Sequence, residues 1–423
     1  MSTTTTRMTN EPIQSTSNYK KRNLIQLCTD HQRQSWIEND NLIPIKILTW
    51  NILAQCLVKR NLFPGSDCLK WKERGKVITE EIMNYDADVI CLQEVDRIID
   101  HGPILKKSGY DYKYVIGGYE DIGKQHGLLI GWKENKIEKI DEQIIKFDEE
   151  IYNNKIGLSR VTKNISLICC LKLKTETTKH LVIGTCHLFW HPRFSYERCR
   201  QISFLSNLIQ NFKQKQLLRT DHLITILAGD LNEEPNGPGY KLITGKSFNQ
   251  EQIKIFDESK VIHKSVDKEQ SKEIYETIEG DEDRVFKDVR KPKISDELFD
   301  LIELQKICGN SDWISLYGTF GIKMESENGN RFIDREEQKS KIREGKGEED
   351  EIESGDWEPM WTNFTPLWRC TLDYIFILND NNYHQIKVTK LLPTHRTLSL
   401  IPGLPRQRIE PSDHIALMTE ILF

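Results

Sequence analysis

The sequence has no apolar run of roughly 18 residues, the length that a membrane-spanning helix needs. Residues 1–10 are rich in Thr and lack the apolar core of a secretory signal. The ten cysteines include no Cys-x-x-Cys pair, and several lie in apolar runs, which indicates reduced thiols rather than a disulfide framework. We therefore expect an intracellular protein without a membrane partner, in the cytoplasm or, as a second candidate, the nucleus.

The sequence also lacks the basic excess of a protein that holds nucleic acid mainly by charge. The chain of 423 residues has a net charge of −5. Residues 325–358 contain 13 acidic and 6 basic residues, which leaves the rest of the chain at about +2. This distribution permits an RNA substrate but excludes a broadly basic surface as the main source of affinity.

Three common catalytic or nucleotide-binding motifs are absent as well. The sequence contains no Gly-x-x-x-x-Gly-Lys-Ser/Thr phosphate loop, no Gly-x-Gly-x-x-Gly fingerprint and no Gly-x-Ser-x-Gly elbow. Kinase-like, redox and serine-hydrolase functions therefore lack support.

Apolar runs rich in Ile, Val, Leu and aromatic residues predict about ten strands, mostly covered on both faces. The runs are Ile45–Leu53, Ala87–Val95, Tyr112–Ile116, Leu128–Trp132, Ile165–Leu173, His180–Leu188, Leu223–Leu231, Asp373–Leu378, Ile386–Leu392 and His414–Phe423. Helical patterns lie between some of them, at Leu69–Asn84 and Tyr196–Lys215. This alternation predicts one α/β domain with large sheets.

We expect that domain to span residues 44–423, after a polar leader at 1–43 that is largely disordered. Residues 325–358 are charged and nearly free of apolar side chains, so they predict a disordered acidic insertion.

Polar side chains stand at the ends of the apolar runs, where a core strand needs none. They are Asn51, Glu94, His187, Asp230, Asn232, Asp373 and the pair Asp413 and His414. Each alone has an ordinary structural explanation, as a turn residue, a strand cap or a structural histidine. Together they predict a site at one edge of the sheets, because loops at strand ends are held by a rigid scaffold.

These side chains make a site of hard oxygen ligands without a thiolate cluster. Such a set favours Mg²⁺, or alternatively Mn²⁺, over Zn²⁺. A carboxylate beside the ion can activate water, and a protonated histidine can stabilise charge on a phosphoryl oxygen. The inventory predicts metal-assisted hydrolysis of a phosphate ester.

The same residues lie in motifs that resemble the endonuclease/exonuclease/phosphatase superfamily. The motifs are Thr49–Leu53, Leu92–Val95, Gly229–Asn232, Thr371–Ile375 and Ser412–His414. Within it, the chain is most similar to the carbon-catabolite-repressor-type deadenylase branch, which includes nocturnin and angel. His187–Pro192, followed by Tyr196–Arg198 and Gln201, is most similar to the yeast RNA exonucleases of that branch.

The resemblance implies a four-layer α/β sandwich with two packed mixed β-sheets flanked by helices. It implies a Mg²⁺-dependent 3′–5′ RNA exonuclease that hydrolyses phosphodiester bonds through a metal-activated water. By position, Glu94 matches the family's metal ligand, and Asn51 and Asp413 line the same ion site.

The catalytic roles carry over in the same way. Asp230 matches the acid that activates water, and Asn232 matches its partner. His414 matches a phosphate-binding histidine that Asp373 orients. His187 matches a second phosphate contact.

The resemblance also implies residues that bind the substrate. Asn363 matches an asparagine that contacts the nucleotide, and Trp368 and Pro192 match residues on either side of a base. Trp190 and Arg198 belong to the motif shared with the yeast exonucleases and are further candidates. For Trp368, a place in the core is the competing interpretation.

The implied partner is the 3′ end of single-stranded RNA, either a poly(A) tail or the end of a structural RNA, and the expected state is a monomer. No leucine-rich repeat precedes the nuclease region, so we do not expect docking to a deadenylase complex through such a repeat. Two alternatives stay open: a small-molecule phosphoesterase, such as a nocturnin-like dinucleotide phosphatase, and a catalytically inactive RNA-binding scaffold.

Overall fold

A computed structural model describes residues 21–117, 125–175, 179–220, 222–267, 276–278, 286–309, 312–321, 357–380, 383 and 386–423. None of the helices in these ranges has the length and apolar character of a membrane span.

Two large mixed sheets form the centre of the molecule. The first has the strand order β1-β17-β18-β2-β3-β5-β4. Its strands are β1 (Ile25–Gln26), β2 (Pro44–Asn51), β3 (Val89–Val95), β4 (Tyr110–Gly117), β5 (His126–Lys133), β17 (Lys387–Leu391) and β18 (Leu417–Leu422). Only the β2–β3 pair is parallel among the described pairs of this sheet.

The second sheet has the order β13-β16-β9-β8-β7-β6. Its strands are β6 (Ile137–Lys146), β7 (Ile165–Leu173), β8 (His180–Cys186), β9 (Leu223–Asp230), β13 (Trp313–Ser315) and β16 (Asp373–Leu378). Two small sheets combine β10 (Ile262–His263), β11 (Glu276–Ile278) and β12 (Phe286–Arg290), and β14 (Asn363–Phe364) with β15 (Arg369–Cys370).

Helices accompany both sheets, and several of them pack on the outer faces. They are α1 (Asp30–Glu38), α2 (Trp71–Tyr85), α3 (Ile98–Lys107), α4 (Ser195–Gln216), α5 (Pro238–Ile243), α6 (Gln250–Glu258), α7 (Leu301–Cys308) and the short α8 (Thr397–Leu400), with 3₁₀ turns at Gln55–Leu57, Phe147–Glu149 and Ile294–Asp296.

Three apolar clusters separate these layers. The central one packs side chains such as Ile47 of the first sheet against Ile183 of the second. The outer clusters join Leu48 to Ile82 of α2, and Val182 to Ile209 of α4. Side chains on both faces of the strands are thus buried, which explains the nearly continuous apolar runs. This arrangement confirms the predicted four-layer α/β sandwich.

The topology brings the polar strand ends to one edge. β2 and β3 run parallel, as do β8 and β9, so their carboxyl ends coincide. β16 is antiparallel to β9 and places Asp373 opposite Asp230. β18 is antiparallel to β2, so the loop that precedes it reaches the same edge.

The prediction of a largely disordered leader is wrong for residues 21–43, which the structure describes. β1 pairs with β17, and α1 has a capping box at Thr29, so the fold begins well before residue 44. Arg22 is buried and donates to the carbonyls of Pro393 and Ala416. Because these partners are distant in sequence, composition alone did not reveal that this segment is folded. Residues 1–20 lie outside the described ranges.

Other predicted bounds differ in smaller ways. The edge strand β6 was not predicted, because its alternating charged side chains break the apolar run. The last strand begins at Leu417 rather than at His414. Most of the predicted acidic insertion lies outside the described residues, but Glu358 at its end is buried and accepts a hydrogen bond from Tyr240 at 2.8 Å.

Candidate active site

A cavity of about 560 Å³ opens at the edge where the polar strand ends meet. Its lining includes Glu94, His187, Asp230, Asn232, Asn363, Asp413 and His414. Both sheets contribute to it, since Glu94 is the next-to-last residue of β3 in the first sheet and Asp230 is the last residue of β9 in the second.

Glu94 is turned into the cavity by an irregularity in β3. Its φ of +58° lies in the left-handed region, and the register with β5 shifts between Leu92 and Val95. Glu94 Oε2 accepts from the Ala54 amide at 2.9 Å, and Oε1 accepts from Asn51 at 3.0 Å. A strained backbone held at such a point is typical of a functional position.

The Glu94 carboxylate is held ionised. Burial opposes its charge, but His187 and His126 outweigh the burial with the two hydrogen bonds and lower the pKa of Glu94 to about 2. An anionic oxygen donor therefore faces the cavity.

Asn51 presents its amide nitrogen, rather than its oxygen, to the carboxylates. Nδ2 donates to Glu94 and to Asp230, both at 3.0 Å, while Oδ1 accepts from the Leu53 amide. Asn51 is therefore placed to orient two carboxylates, and its role in lining the ion site stays a prediction. Ser412 Oγ donates to the Asn51 carbonyl at 2.7 Å and ties the two loops together.

Asp230 and Asn232 form a turn at the end of β9. The Asn232 amide donates to Asp230 Oδ1 at 2.9 Å, and its side chain donates to the Leu188 carbonyl at 2.9 Å. β9 ends at Asp230 and Asn232 has a φ of +50°, so this turn, rather than strand alternation, brings both side chains to the cavity. Burial and the nearby Asp373 raise the pKa of Asp230.

His414 is fixed between two aspartates. Its Nδ1 lies 2.8 Å from Asp373 Oδ2, and its Nε2 lies 3.8 Å from Asp230 Oδ2. Burial alone would lower the pKa of His414, but the charges of Asp373 and Asp230 raise it well above its ordinary value. An imidazolium oriented in this way can stabilise negative charge on a phosphoryl group.

His187 directly follows β8 and lies near two of these carboxylates. Its Nε2 lies 3.8 Å from Glu94 Oε1 and 3.7 Å from Asp230 Oδ2. His187 therefore stands between the two acids that the sequence assigns to metal binding and water activation.

The donor set fits a hard divalent cation. Glu94 and Asp413 offer carboxylate oxygens in the same cavity. Burial, and to a smaller extent the charge of Glu94, raises the pKa of Asp413. Asp230, Asp373 and His414 form a second group, with one ligand atom of each within 4.8 Å of the others. His414 and Asp373 already pair with each other at 2.8 Å in that group, so Glu94 and Asp413 are the better candidate ligands.

Four of the five predicted substrate-binding residues line the cavity: Asn363, Trp368, Pro192 and Trp190. Asn363 Nδ2 lies 3.5 Å from Asp413 Oδ2. Trp368 is half-buried, and its backbone N–H is held by Thr365 Oγ1 at 2.8 Å. Trp190 is 51% exposed. Their binding roles stay predictions.

Arg198, the fifth, is placed differently. Its side chain is buried, pairs with Glu233 at 2.6 Å and donates to the carbonyls of His191 and Pro192 at 2.5 and 2.9 Å. Arg198 does not line the cavity. Its guanidinium is engaged by the protein itself, and its role as a substrate-binding residue stays a prediction.

Sequence reasoning missed other cavity residues. His126 begins β5, and its ring centroid lies 5.9 Å from that of His187. Lys59, Arg160 and Lys163 also line the cavity. A histidine at a strand start was a usable signal for His126, whereas the three basic residues lie in loops without a motif.

Comparisons with known proteins concern the sequence and the fold. The sequence model of the Endonuclease/Exonuclease/phosphatase family matches residues 48–414. The RNA exonuclease NGL2 of Saccharomyces cerevisiae is 34% identical over 222 residues, which cover 48% of this chain and 42% of the relative. A probable RNA exonuclease of Schizosaccharomyces pombe is 25% identical over 412 residues, which cover 90% of this chain and 76% of the relative.

The matched region thus spans less than half of the budding-yeast relative. Among solved structures, ANGEL2, described as a 2′,3′-cyclic phosphatase, has a TM-score of 0.63 at 19% identity and covers 96% of this chain and 99% of its own. The human nocturnin catalytic domain has a TM-score of 0.52 at 20% identity and covers 89% of this chain and 94% of its own. These likenesses show a shared fold.

Proposed function

The chain belongs to the endonuclease/exonuclease/phosphatase family, and we propose that it is a Mg²⁺-dependent exonuclease that removes nucleotides from the 3′ end of single-stranded RNA. The observation that carries the proposal is the joint placement of Glu94, His187, Asp230 and His414 in one cavity. RNA exonucleases among the relatives support the choice of substrate.

In the proposed reaction, Glu94 and Asp413 hold the cation. When bound, Mg²⁺ supplies charge neutralisation at a phosphate oxygen and a lower pKa for water. Mn²⁺ would satisfy the same ligands.

Other residues of the chain accept the proton and stabilise the developing charge. Asp230 accepts the proton of the attacking water, and Asn232 fixes the Asp230 carboxylate through its backbone N–H. His414, held by Asp373, and His187 stabilise the charge that develops on the phosphoryl oxygens.

We further propose that Trp368 and Pro192 enclose the terminal base and that Asn363 contacts its nucleotide. Single-stranded RNA presents unstacked bases to such side chains. Poly(A) tails, as in mRNA decay, and 3′ extensions of structural RNAs, as in rRNA processing, are both compatible substrates. We place the protein as a monomer in the cytoplasm, with the nucleus as a second compartment.

A second candidate is a phosphoesterase for a small molecule such as a nicotinamide dinucleotide phosphate. The cavity of about 560 Å³ favours it, because that volume falls in the range of small-molecule sites. An inactive scaffold is disfavoured, because a retired site has no need of the Asp373–His414 pair or the strained Glu94 backbone.

Purified protein tests these alternatives directly. RNAs with a 5′ label, ending in A-runs or in mixed sequence, and a nicotinamide dinucleotide phosphate are each incubated with Mg²⁺ and with EDTA. We expect stepwise shortening of RNA from the 3′ end that EDTA and Glu94→Gln both abolish. Phosphate release from the dinucleotide without RNA shortening would overturn the exonuclease proposal, and no turnover of either would favour the scaffold.

A further inference from the structure

The cavity contains basic side chains as well as the carboxylates of Glu94, Asp230 and Asp413. Besides its histidines, it is lined by Lys59, Arg160 and Lys163. We call these three residues the basic rim. The proposed mechanism gives them no task.

The basic rim draws on both sheets. Lys59 follows the 3₁₀ turn Gln55–Leu57, which comes after β2 of the first sheet. Arg160 and Lys163 lie in the loop that leads into β7 of the second sheet. The three cations therefore approach the cavity from loops of both sheets.

Arg160 is held in place by aromatic rings. Its guanidinium carbon lies 5.2 Å from the Phe189 ring centroid and 5.4 Å from that of Phe194. Within the described ranges, Arg160 forms no direct ion pair with a carboxylate, although its charge acts together with the Lys264 ion pair to lower the pKa of Asp288. A guanidinium that is stacked on rings and not in direct contact with a carboxylate keeps N–H groups available for an anion.

The loop that carries Lys163 is also fixed. The Lys163 amide donates to Asp148 Oδ2 at 2.7 Å, and Asp148 also accepts from the Thr162 hydroxyl at 2.9 Å. The exposed Trp190 stands beside Phe189 at the same cavity, with ring centroids 6.3 Å apart. Basic side chains next to exposed aromatic rings are typical of surfaces that bind single-stranded nucleic acid.

We infer that the basic rim binds the sugar–phosphate backbone of single-stranded RNA on the 5′ side of the scissile bond. This inference rests on the proposed function and extends it, because it makes an oligonucleotide, rather than a single nucleotide, the preferred substrate. The reacting phosphate lies at the acidic floor, and the next phosphates of the strand pair with Lys59, Arg160 and Lys163.

The test compares substrates of different length. Wild type and the triple variant Lys59→Ala, Arg160→Ala, Lys163→Ala are assayed for kcat/KM on a dinucleotide and on a 12-nucleotide RNA, each across a salt series. The control removes three exposed lysines that do not line the cavity, Lys72, Lys107 and Lys254. Melting temperatures confirm that each variant is folded.

We expect the triple variant to lose roughly tenfold or more on the long RNA relative to its change on the dinucleotide, the effect of losing a hydrogen bond to a charged group. The log–log salt dependence should become shallower by about 0.7 for each phosphate that the variant no longer neutralises, or about 2 if all three cations bind phosphates. The control should match wild type in both quantities.

Other outcomes separate the inference from its premise. Equal losses on the dinucleotide and the long RNA would overturn the inference, because the rim would then serve the reacting nucleotide. An unchanged salt slope would overturn it as well. A wild type that cleaves neither RNA but hydrolyses a nicotinamide dinucleotide phosphate would overturn the proposed function itself.

Discussion

At the scale of single residues, Asp230 is the most heavily constrained group of the site. It is fully buried, accepts from Asn51 and from the Asn232 amide, and lies within 3.8 Å of both His187 and His414. These contacts fix its carboxylate in one orientation, as a general base requires.

Replacing Asp230 with Asn preserves the shape but removes the base. We expect Asp230→Asn to fold, to bind RNA and to lose roughly 10²–10⁴-fold in rate, the usual contribution of a general base. Single-turnover cleavage at saturating Mg²⁺, with binding measured separately, checks this. A loss of less than about tenfold would assign the role to another residue.

Trp368 offers a second test, because its burial separates stacking from packing. It is half-buried and lines the cavity, unlike the fully buried Phe364 in the same segment. Trp368→Ala should lower RNA turnover by roughly 5- to 150-fold, from a stacking energy of about 1–3 kcal/mol per base. Melting temperature should hardly change, and Trp36→Ala, which removes a half-buried tryptophan outside the cavity, is the control.

At the scale of elements, Arg198 connects two loops of the site from helix α4. Its guanidinium holds the carbonyls of His191 and Pro192, and its partner Glu233 follows Asn232 directly. The Glu233 carbonyl also accepts from Tyr374, which follows Asp373. Arg198 is therefore a positioning residue for the loop that carries Trp190 and for the turn after β9.

Arg198→Lys keeps the charge but cannot reach both carbonyls and the carboxylate in the same planar geometry. We expect a raised KM for RNA and a lower melting temperature, with a larger loss of stability in Arg198→Ala. Removing one partner of a buried pair typically costs about 3–5 kcal/mol. A fully stable Arg198→Ala with a raised KM would return Arg198 to the role of a direct substrate contact.

The described residues on the two sides of the acidic segment lie next to each other. A Cβ on Gly321 would lie 2.3 Å from the Trp357 carbonyl oxygen, so the chain on either side of residues 322–356 is adjacent. Replacing these residues with a short Gly-Ser linker should leave the melting temperature nearly unchanged, because the composition offers little apolar surface to bury. A drop of more than about 5 °C, which corresponds to over 1 kcal/mol in a domain of roughly 150–250 residues or more, would show that the segment packs.

At the scale of the whole molecule, the layer architecture and the order of the catalytic residues were predictable, because both depend on local patterns. Nearly all apolar runs became strands, and the polar residues after them met at one edge. The contacts of individual side chains were less predictable where their partners are remote in sequence. Asn51 points its amide nitrogen at acids from two other strands, and Arg198 is bound by Glu233 and by carbonyls that no motif reveals.

Residues that are remote in sequence also form a buried charge cluster, which connects the N-terminal and C-terminal parts of the described chain. Arg22 Nη2 lies 3.3 Å from Glu81 Oε1 and 2.9 Å from Glu410 Oε1, and His395 Nε2 lies 2.8 Å from the same Glu410 oxygen. These residues come from the N-terminal segment, helix α2 and two loops near the C-terminus. Burial, only partly offset by Arg22, raises the pKa of Glu410 to about 7.

This cluster predicts how stability depends on pH. Glu410 titrates near its ordinary value of 4.5 in the unfolded chain and near 7 in the folded one. Between these values the folded chain retains a proton that the unfolded chain has lost, so the stability contributed by protonated Glu410 falls as pH rises through this window. Glu410→Gln removes the titration, so the melting temperature of wild type should fall relative to this variant from pH 5 to 7, whereas the exposed control Glu258→Gln should run parallel to wild type. Curves for wild type and Glu410→Gln that stay parallel, or a wild type that gains on the variant as pH rises, would show that Glu410 is already ionised in the folded cluster, balanced by Arg22.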